Sequence, residues 1–145
     1  MTNRHKAVFE KVNLGNNINA VHLVLPSEIN GEKWYWIIDT GASNSTVNRD
    51  YSQLFSEITP MQEQLVTASE FIEDGTLESA VIGMVDFGSF RIKDLSVVLI
   101  DIKHICDIFE KEIDIKVCGL LGADFMFRHK VKMDFESMDM ELVIS

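Results

Sequence analysis

A run of apolar residues at 34–38 limits what this chain can fold into more than any other part of its sequence. The run follows an Asn30-Gly31 pair. Asn-Gly between apolar segments is a strong β-hairpin signal, because both residues tolerate positive φ. Apolar residues at every position, rather than at alternate ones, predict a strand that is buried on both faces. We therefore expect 34–38 to be a central strand that pairs with the preceding segment 20–25.

Most of the remaining sequence also predicts β structure. Turn signals at Asp74-Gly75 and at 86–89 separate several short apolar runs. The predicted strands are 45–47, 64–68, 77–85, 90–92 and 95–100, followed by a C-terminal hairpin made from 131–135 and 140–144. Apolar residues at helical spacing predict a helix at 102–111, and a second short helix is expected at 123–128. Residues 50–55 are expected to form a short helix or turn before Pro60.

Length and charge exclude several classes of protein. With 145 residues the sequence predicts a single domain over 1–145. The net charge of −10 repels phosphate backbones, so we expect no nucleic-acid partner. No apolar run approaches the length of a membrane span and the start has no apolar leader, so we expect a cytoplasmic protein without a membrane partner. The two cysteines and four histidines show no ligand spacing, and we expect no metal and no cofactor.

Asp39 needs a chemical explanation, because it directly follows the buried run. Moving a carboxylate out of water is costly unless the group is paired or protonated. One interpretation is structural: the side chain of an Asp at a strand end accepts hydrogen bonds from the amides of the following turn. The other interpretation is catalytic, and it depends on the residues around Asp39.

The motif Ile37-Ile38-Asp39-Thr40-Gly41-Ala42-Ser43 resembles the active-site signature of aspartic proteases, in particular the retroviral-type or retropepsin-like family. The segment 117–126, which contains Gly119 and Gly122, is similar to the late apolar-apolar-Gly segment of that family. The resemblance extends over nearly the whole chain. It implies the acid-protease fold, a mostly β, closed β-barrel with one or two short helices that forms a symmetric homodimer. It also implies that the extra length of this chain lies in surface helices within 49–60 and 101–116.

The resemblance assigns a role to each matching residue. Asp39 is the expected catalytic carboxylate, and Thr40 and Gly41 support the active-site loop. Gly41 has no Cβ, so backbone amides can approach the carboxylate. A flexible hairpin over the cleft, the flap, is expected at 68–77. The predicted substrate-binding residues are Ala42, Ser43, Phe71, Ile72, Gly75, Leu121 and Gly122.

The single Asp-Thr-Gly determines the expected stoichiometry. Peptide hydrolysis by this mechanism needs two carboxylates that share a proton. Gly122-Ala123-Asp124 lacks the Thr-Gly turn, so the second carboxylate must come from another copy. The sequence therefore predicts a homodimeric aspartic endopeptidase that cleaves peptide or protein substrates in extended, largely apolar segments.

Two alternatives stay open from the sequence. The first is a non-catalytic retropepsin-like module that dimerises or binds peptides without cleaving them, since a fold alone does not establish activity. The intact Asp-Thr-Gly argues against this alternative. The second is an unrelated β-barrel binding protein, which requires both motif matches to be accidents.

Overall fold

The computed structural model describes residues 4–15, 20–61 and 77–144, and these residues form mostly β-strands. The strands are β1 (Arg4–Val8), β2 (Glu10–Leu14), β3 (Ala20–Ile29), β4 (Glu32–Ile38), β5 (Thr46–Asn48), β6 (Ser56–Pro60), β7 (Glu78–Asp86), β8 (Arg91–Ile100), β9 (Val117–Leu121), β10 (Lys132–Asp134) and β11 (Asp139–Val143). The described helices are α1 (Lys103–Ile113), α2 (Ala123–Arg128) and a 3₁₀ turn at Ser52–Leu54.

The hairpin between β3 and β4 forms where the sequence predicts it. Asn30 and Gly31 have φ angles of 53° and 80°, and the two strands pair antiparallel on either side of them. Trp36 on β4 is fully buried, and its indole N–H donates to Ser27 Oγ at 2.9 Å. The Ser27 hydroxyl donates in turn to the Trp34 carbonyl at 2.9 Å, so the Trp36 indole and the Ser27 hydroxyl both have partners. The prediction of a buried central strand is confirmed.

The strands form two sheets. Eight of them lie in the order β2-β3-β4-β9-β5-β8-β7-β6, and β9 is parallel to β4 but antiparallel to β5. The sheet bends far enough for β3 to pair also with β7, at Glu28 and Asp86. Three strands form the second sheet, in the order β1-β11-β10, and its fully buried Met140 and Leu142 pack into the main core. The prediction of a mostly β protein is confirmed, whereas the closed barrel stays a prediction.

Both predicted α-helices form. Helix α1 begins one residue after the start of the predicted segment and continues to Ile113, where Asp114 adopts a left-handed conformation with φ of 56°. Its buried face presents Cys106 and Phe109 to a second hydrophobic core, which also contains Val24 and Val117. Helix α2 occupies 123–128, as predicted.

The structure departs from the sequence prediction around Pro60. Residues 49–60 do not form a surface helix: a 3₁₀ turn is followed by β6. Proline lacks an N–H donor and is found in strands mainly at sheet edges, and among the described strands β6 lies at the edge of the larger sheet. The predicted strands 90–92 and 95–100 are one strand, β8, in which Asp94 adopts a φ of 53°. The predicted strand 64–68 lies outside the described residues.

The insertion of β9 between β4 and β5 predicts a large effect of substitution at Gly119. A Cβ at this position would lie 1.9 Å from the Thr46 carbonyl oxygen, so Gly119→Ala requires the backbone of β5 to move. We expect the free energy of unfolding, measured by urea denaturation, to fall by more than about 3 kcal/mol. Gly83→Ala is the matched control. A Cβ at Gly83 meets nothing within 4 Å, so stability should change by less than about 1 kcal/mol. Equal effects of the two substitutions would contradict the close approach.

Candidate active site

Asp39 lies just beyond β4, in a tight turn. Its backbone N–H donates to the Leu121 carbonyl of β9 at 3.0 Å, and its own carbonyl accepts from the Ala42 N–H at 3.2 Å. The Gly41 N–H donates to Asp39 Oδ1 at 3.0 Å. Within the described part of the chain Oδ2 accepts no hydrogen bond, and no ion pair involves Asp39. The carboxylate is thus held by one oxygen and leaves the other available.

The surroundings of Asp39 separate the two interpretations of this residue. An amide that donates to the carboxylate fits both a structural turn and a catalytic group. Asp39, however, is half-buried at the border of a largely apolar cleft of about 690 Å³. The cleft floor includes Ile37 and Leu120, and helix α1 forms a wall that includes Ile105. A carboxylate that faces a cleft large enough for substrate side chains favours the catalytic interpretation.

A network around Asp124 fixes the loop that carries Asp39. Asp124 Oδ1 accepts from the backbone N–H of Ser45 at 2.9 Å, from the Ser45 hydroxyl at 2.9 Å and from the Phe125 N–H at 2.8 Å. The Ser45 Oγ accepts from the Gly122 N–H at 3.0 Å. Ser45 is only 1% exposed, so the bond that its hydroxyl accepts from Gly122 is shielded from water, whereas the Asp124 side chain lies at the surface. The network ties the end of the active-site loop to the first turn of α2.

The start of α2 is also tied to the active-site loop through the backbone. The Ala123 N–H donates to the Ala42 carbonyl at 2.7 Å, and the Asp124 N–H donates to the Ser43 carbonyl at 3.3 Å. Gly122 allows this contact, because a Cβ there would lie 2.7 Å from the Ala42 oxygen. Loop and helix therefore hold each other in place.

The sequence did not assign a role to Ser45 or Asp124. An acidic side chain in the first turn of a helix interacts favourably with the positive end of the helix dipole. This position in α2 is the one local feature of the sequence that indicates a role for Asp124. Its partner Ser45 lies 79 residues earlier in the chain. The pairing depends on tertiary structure, so spacing within the sequence does not reveal it.

The predicted site residues lie in different environments. Thr40, Gly41 and Ser43 are exposed, whereas Ala42 is buried and lines the cleft. The Leu121 side chain is fully buried in the main core, while its neighbour Leu120 faces the cleft. Gly122 is buried against the active-site loop. The remaining predicted substrate-binding residues, and the flap tip that carries them, lie outside the described residues: Phe71, Ile72 and Gly75.

In the described part of the chain, no group of three or more His, Cys, Asp or Glu side chains is placed to hold a metal ion. Neither described α-helix is long and apolar enough to cross a membrane.

The Ser45 hydroxyl should contribute measurably to stability. Ser45→Ala removes a hydrogen bond to the Asp124 carboxylate and leaves the buried Gly122 N–H without its acceptor. We expect the free energy of unfolding to fall by about 2 kcal/mol in urea denaturation. Ser96→Ala, on the exposed side of β8, is the control and should change stability by less than about 0.5 kcal/mol. A Ser45→Ala effect no larger than that of the control would show that the network does not stabilise the loop.

Comparisons with known proteins agree with this geometry. The model of the family described as "Aspartyl protease" matches residues 25–125, which is more than half of the chain. Among solved structures, a retropepsin-like aspartic protease from Rickettsia conorii superposes with a TM-score of 0.53 over 99% of this chain and 95% of that chain, at 17% identity. At that identity the likeness shows the fold. No curated protein sequence matches the chain. The chain therefore belongs to the aspartyl protease family and has a retropepsin-like fold.

Proposed function

We propose that this protein is a homodimeric aspartic endopeptidase in which Asp39 of each copy supplies one of two catalytic carboxylates. The observation that carries the proposal is the position of Asp39 in a chain with one Asp-Thr-Gly. The carboxylate is held by the Gly41 N–H at 3.0 Å and borders an apolar cleft. Family membership supports the reaction class, and the single motif supports the dimer.

The proposed reaction uses the two carboxylates as a pair. Like charges a few ångströms apart do not both ionise readily, so the pair retains one proton. The ionised Asp39 takes a proton from a water molecule, and the resulting hydroxide attacks the peptide carbonyl carbon. The protonated Asp39 donates its proton to the carbonyl oxygen. The tetrahedral intermediate then collapses: the C–N bond breaks and the leaving nitrogen takes up a proton from one carboxyl. A hydroxyl of the intermediate gives its proton to the other carboxylate as the new C=O bond forms, so the pair again holds one proton.

The exposed tip of the active-site loop supports the dimer. Thr40 and Gly41 are exposed in the single chain, although the turn that carries them is fixed at its base by Leu121 and Ala42. A two-fold axis near this tip would bring two Asp39 side chains together and cover the exposed residues. Closed two-fold dimers are the commonest oligomers.

The cysteines argue against a different peptidase mechanism. Cys106 and Cys118 are free and buried, and burial raises the pKa of both thiols. A protonated, buried thiol is a poor nucleophile. Free thiols also agree with the proposed single-domain protein of the reducing cytoplasm.

An extended peptide or protein segment is the proposed substrate. A strand laid along the cleft would form main-chain hydrogen bonds near Ala42 and Ser43 and place alternate side chains in apolar pockets. Leu121 and Gly122 act from behind the loop in this proposal, since the first is buried in the core and the second packs on Ala42. Phe71, Ile72 and Gly75 keep their proposed place in a flap over the substrate.

Asp39→Asn should abolish cleavage without disturbing the fold. Asparagine can accept the Gly41 hydrogen bond but cannot serve as acid or base. Both copies of the proposed dimer carry the substitution, so both catalytic carboxylates are lost together. We expect hydrolysis of a peptide library between pH 4 and 7 to fall by at least about 1,000-fold, at unchanged circular dichroism.

Asp107→Asn is the matched control for this loss. Asp107 is an exposed residue of α1 that pairs with Lys103 at 3.0 Å, and its substitution should leave hydrolysis unchanged. Cleavage that persists in Asp39→Asn, or wild-type protein that cleaves no peptide at any pH tested, would contradict the proposed activity. Wild-type protein that binds peptides but cleaves none would favour the alternative, a retropepsin-like module without catalytic activity.

Activity should depend on the square of enzyme concentration when the protein is dilute. Below the dissociation constant of the dimer, the concentration of dimer rises as the square of the chain concentration, so a log–log plot should have a slope of about 2. Sedimentation velocity over the same range should show monomer converting to dimer. A slope of about 1 combined with a monomer throughout would contradict the shared pair.

A further inference from the structure

One buried hydroxyl in the cleft beside Asp39 has no hydrogen-bond partner. Thr46 on β5 is 3% exposed, and its Oγ1 forms no hydrogen bond within the described part of the chain. A buried hydroxyl has given up its bonds to water, so leaving it unpaired is unfavourable. Thr46 also lines the cleft that Asp39 borders. The hydroxyl itself is shielded from solvent, so a molecule in the cleft can supply the missing partner once rotation about the Thr46 Cα–Cβ bond turns the hydroxyl toward it.

The strand register places Thr46 in the cleft floor. Thr46 lies opposite Leu120 of β9, and Leu120 lies opposite Ile37 of β4. Side chains of directly opposed residues in neighbouring strands lie on the same face of a sheet. The three residues therefore form one row across the floor, and all three line the cleft. Thr46 is the polar member of a row that is otherwise apolar.

The wall of the cleft is apolar next to this row. Helix α1 contributes Ile105, Ile108 and Phe109 to the same cleft. Ile108 is 44% exposed, so part of this apolar wall is open to a ligand. This wall and the floor provide an apolar surface for the stem of a bound side chain, with a hydroxyl inside it.

The charged groups of the cleft indicate which side chains it accepts. Asp39 and Asp101 line it together with His22 and His104. The carboxylates and the imidazoles, which can carry positive charge, act in opposite directions on a charged side chain, and the apolar wall disfavours burial of any full charge. The surroundings favour an uncharged side chain.

We propose that this part of the cleft is a substrate subsite that selects a carboxamide side chain, glutamine or asparagine, and that Thr46 is its specificity-determining residue. A carboxamide offers both a donor and an acceptor, as the threonine hydroxyl does. Methionine and leucine have similar sizes but leave the hydroxyl unpaired. The inference rests on the proposed endopeptidase function and names the side chain that the same site prefers.

The test compares matched peptides and matched variants. Two matched pairs of peptides are used, one with Gln or Met and one with Asn or Leu, and the varied residue is placed in turn at each position that flanks the scissile bond. For each peptide, kcat/KM is measured with wild type, Thr46→Val and Thr46→Ser. We expect wild type to prefer Gln over Met by about tenfold, because one buried hydrogen bond is gained. Thr46→Val has the same shape without the hydroxyl and should lose this preference. Thr46→Ser keeps the hydroxyl and should retain it.

Two further measurements separate the subsite from the proposed function. Thr59→Val, on the exposed strand β6, should leave the Gln-to-Met ratio at the wild-type value. The same peptides are titrated against Asp39→Asn, which reports binding without cleavage. Cleavage with equal ratios in wild type and Thr46→Val overturns the subsite and leaves the proposed function standing. If the protein binds carboxamide peptides selectively but the wild type cleaves none of them, the proposed function is overturned and the subsite stands. If the protein neither binds nor cleaves these peptides, both the subsite and the proposed function are overturned.

Discussion

Strand β9 passes so close to β5 that a Cβ at Gly119 would lie 1.9 Å from the Thr46 carbonyl oxygen. The position of the site depends on this contact. Because glycine has no side chain, β9 can lie between β4 and β5 and pair with both. The strand brings the Leu121 carbonyl to the Asp39 amide and places Leu120 in the cleft floor. The Asp-Thr-Gly motif thus becomes a site through a segment some 80 residues later in the chain.

The loop after β4 combines a fixed base with an exposed tip. At its base, α2 holds the loop through the Ser45–Asp124 bonds and through the Ala42–Ala123 backbone bond. At its tip, Thr40 is exposed. This combination suits an active site that two chains complete. If the Asp39 carboxylate were mobile, ordering it would add to the entropy that is already lost when two chains associate. A carboxylate that is positioned before the partner arrives avoids that cost.

Local sequence signals predicted the parts of the fold that local physics determines. Asn30-Gly31 adopts the positive φ angles that its hairpin needs, and residues 34–37 of the apolar run are buried. The helical spacing of apolar residues predicted α1 for the same reason, since its buried face was visible in the pattern. Strand β6 was missed because a proline commonly ends an element, and only its edge position makes Pro60 acceptable there.

The candidate site was predictable for the residues that belong to the Asp-Thr-Gly motif and to the late glycine segment. Asp39 and the glycines were found from their flanks. Ser45 and Asp124 were not, because their bond joins residues 79 positions apart. The role proposed for Thr46 was also hidden. A threonine in a short strand is ordinary in sequence, and its unpaired hydroxyl appears only when the neighbouring strands are in place.

Two-fold symmetry adds a constraint to the proposed dimer. Each copy contributes one Asp39 and one Thr46, so the hydroxyl occurs on both sides of the scissile bond. A peptide has a direction and is not symmetric, so the two hydroxyls meet side chains at inequivalent positions. A carboxamide presents a donor and an acceptor on a short rotatable stem, and it can satisfy the hydroxyl from either direction. The same chemistry that fits one copy of the cleft therefore also fits its symmetry mate.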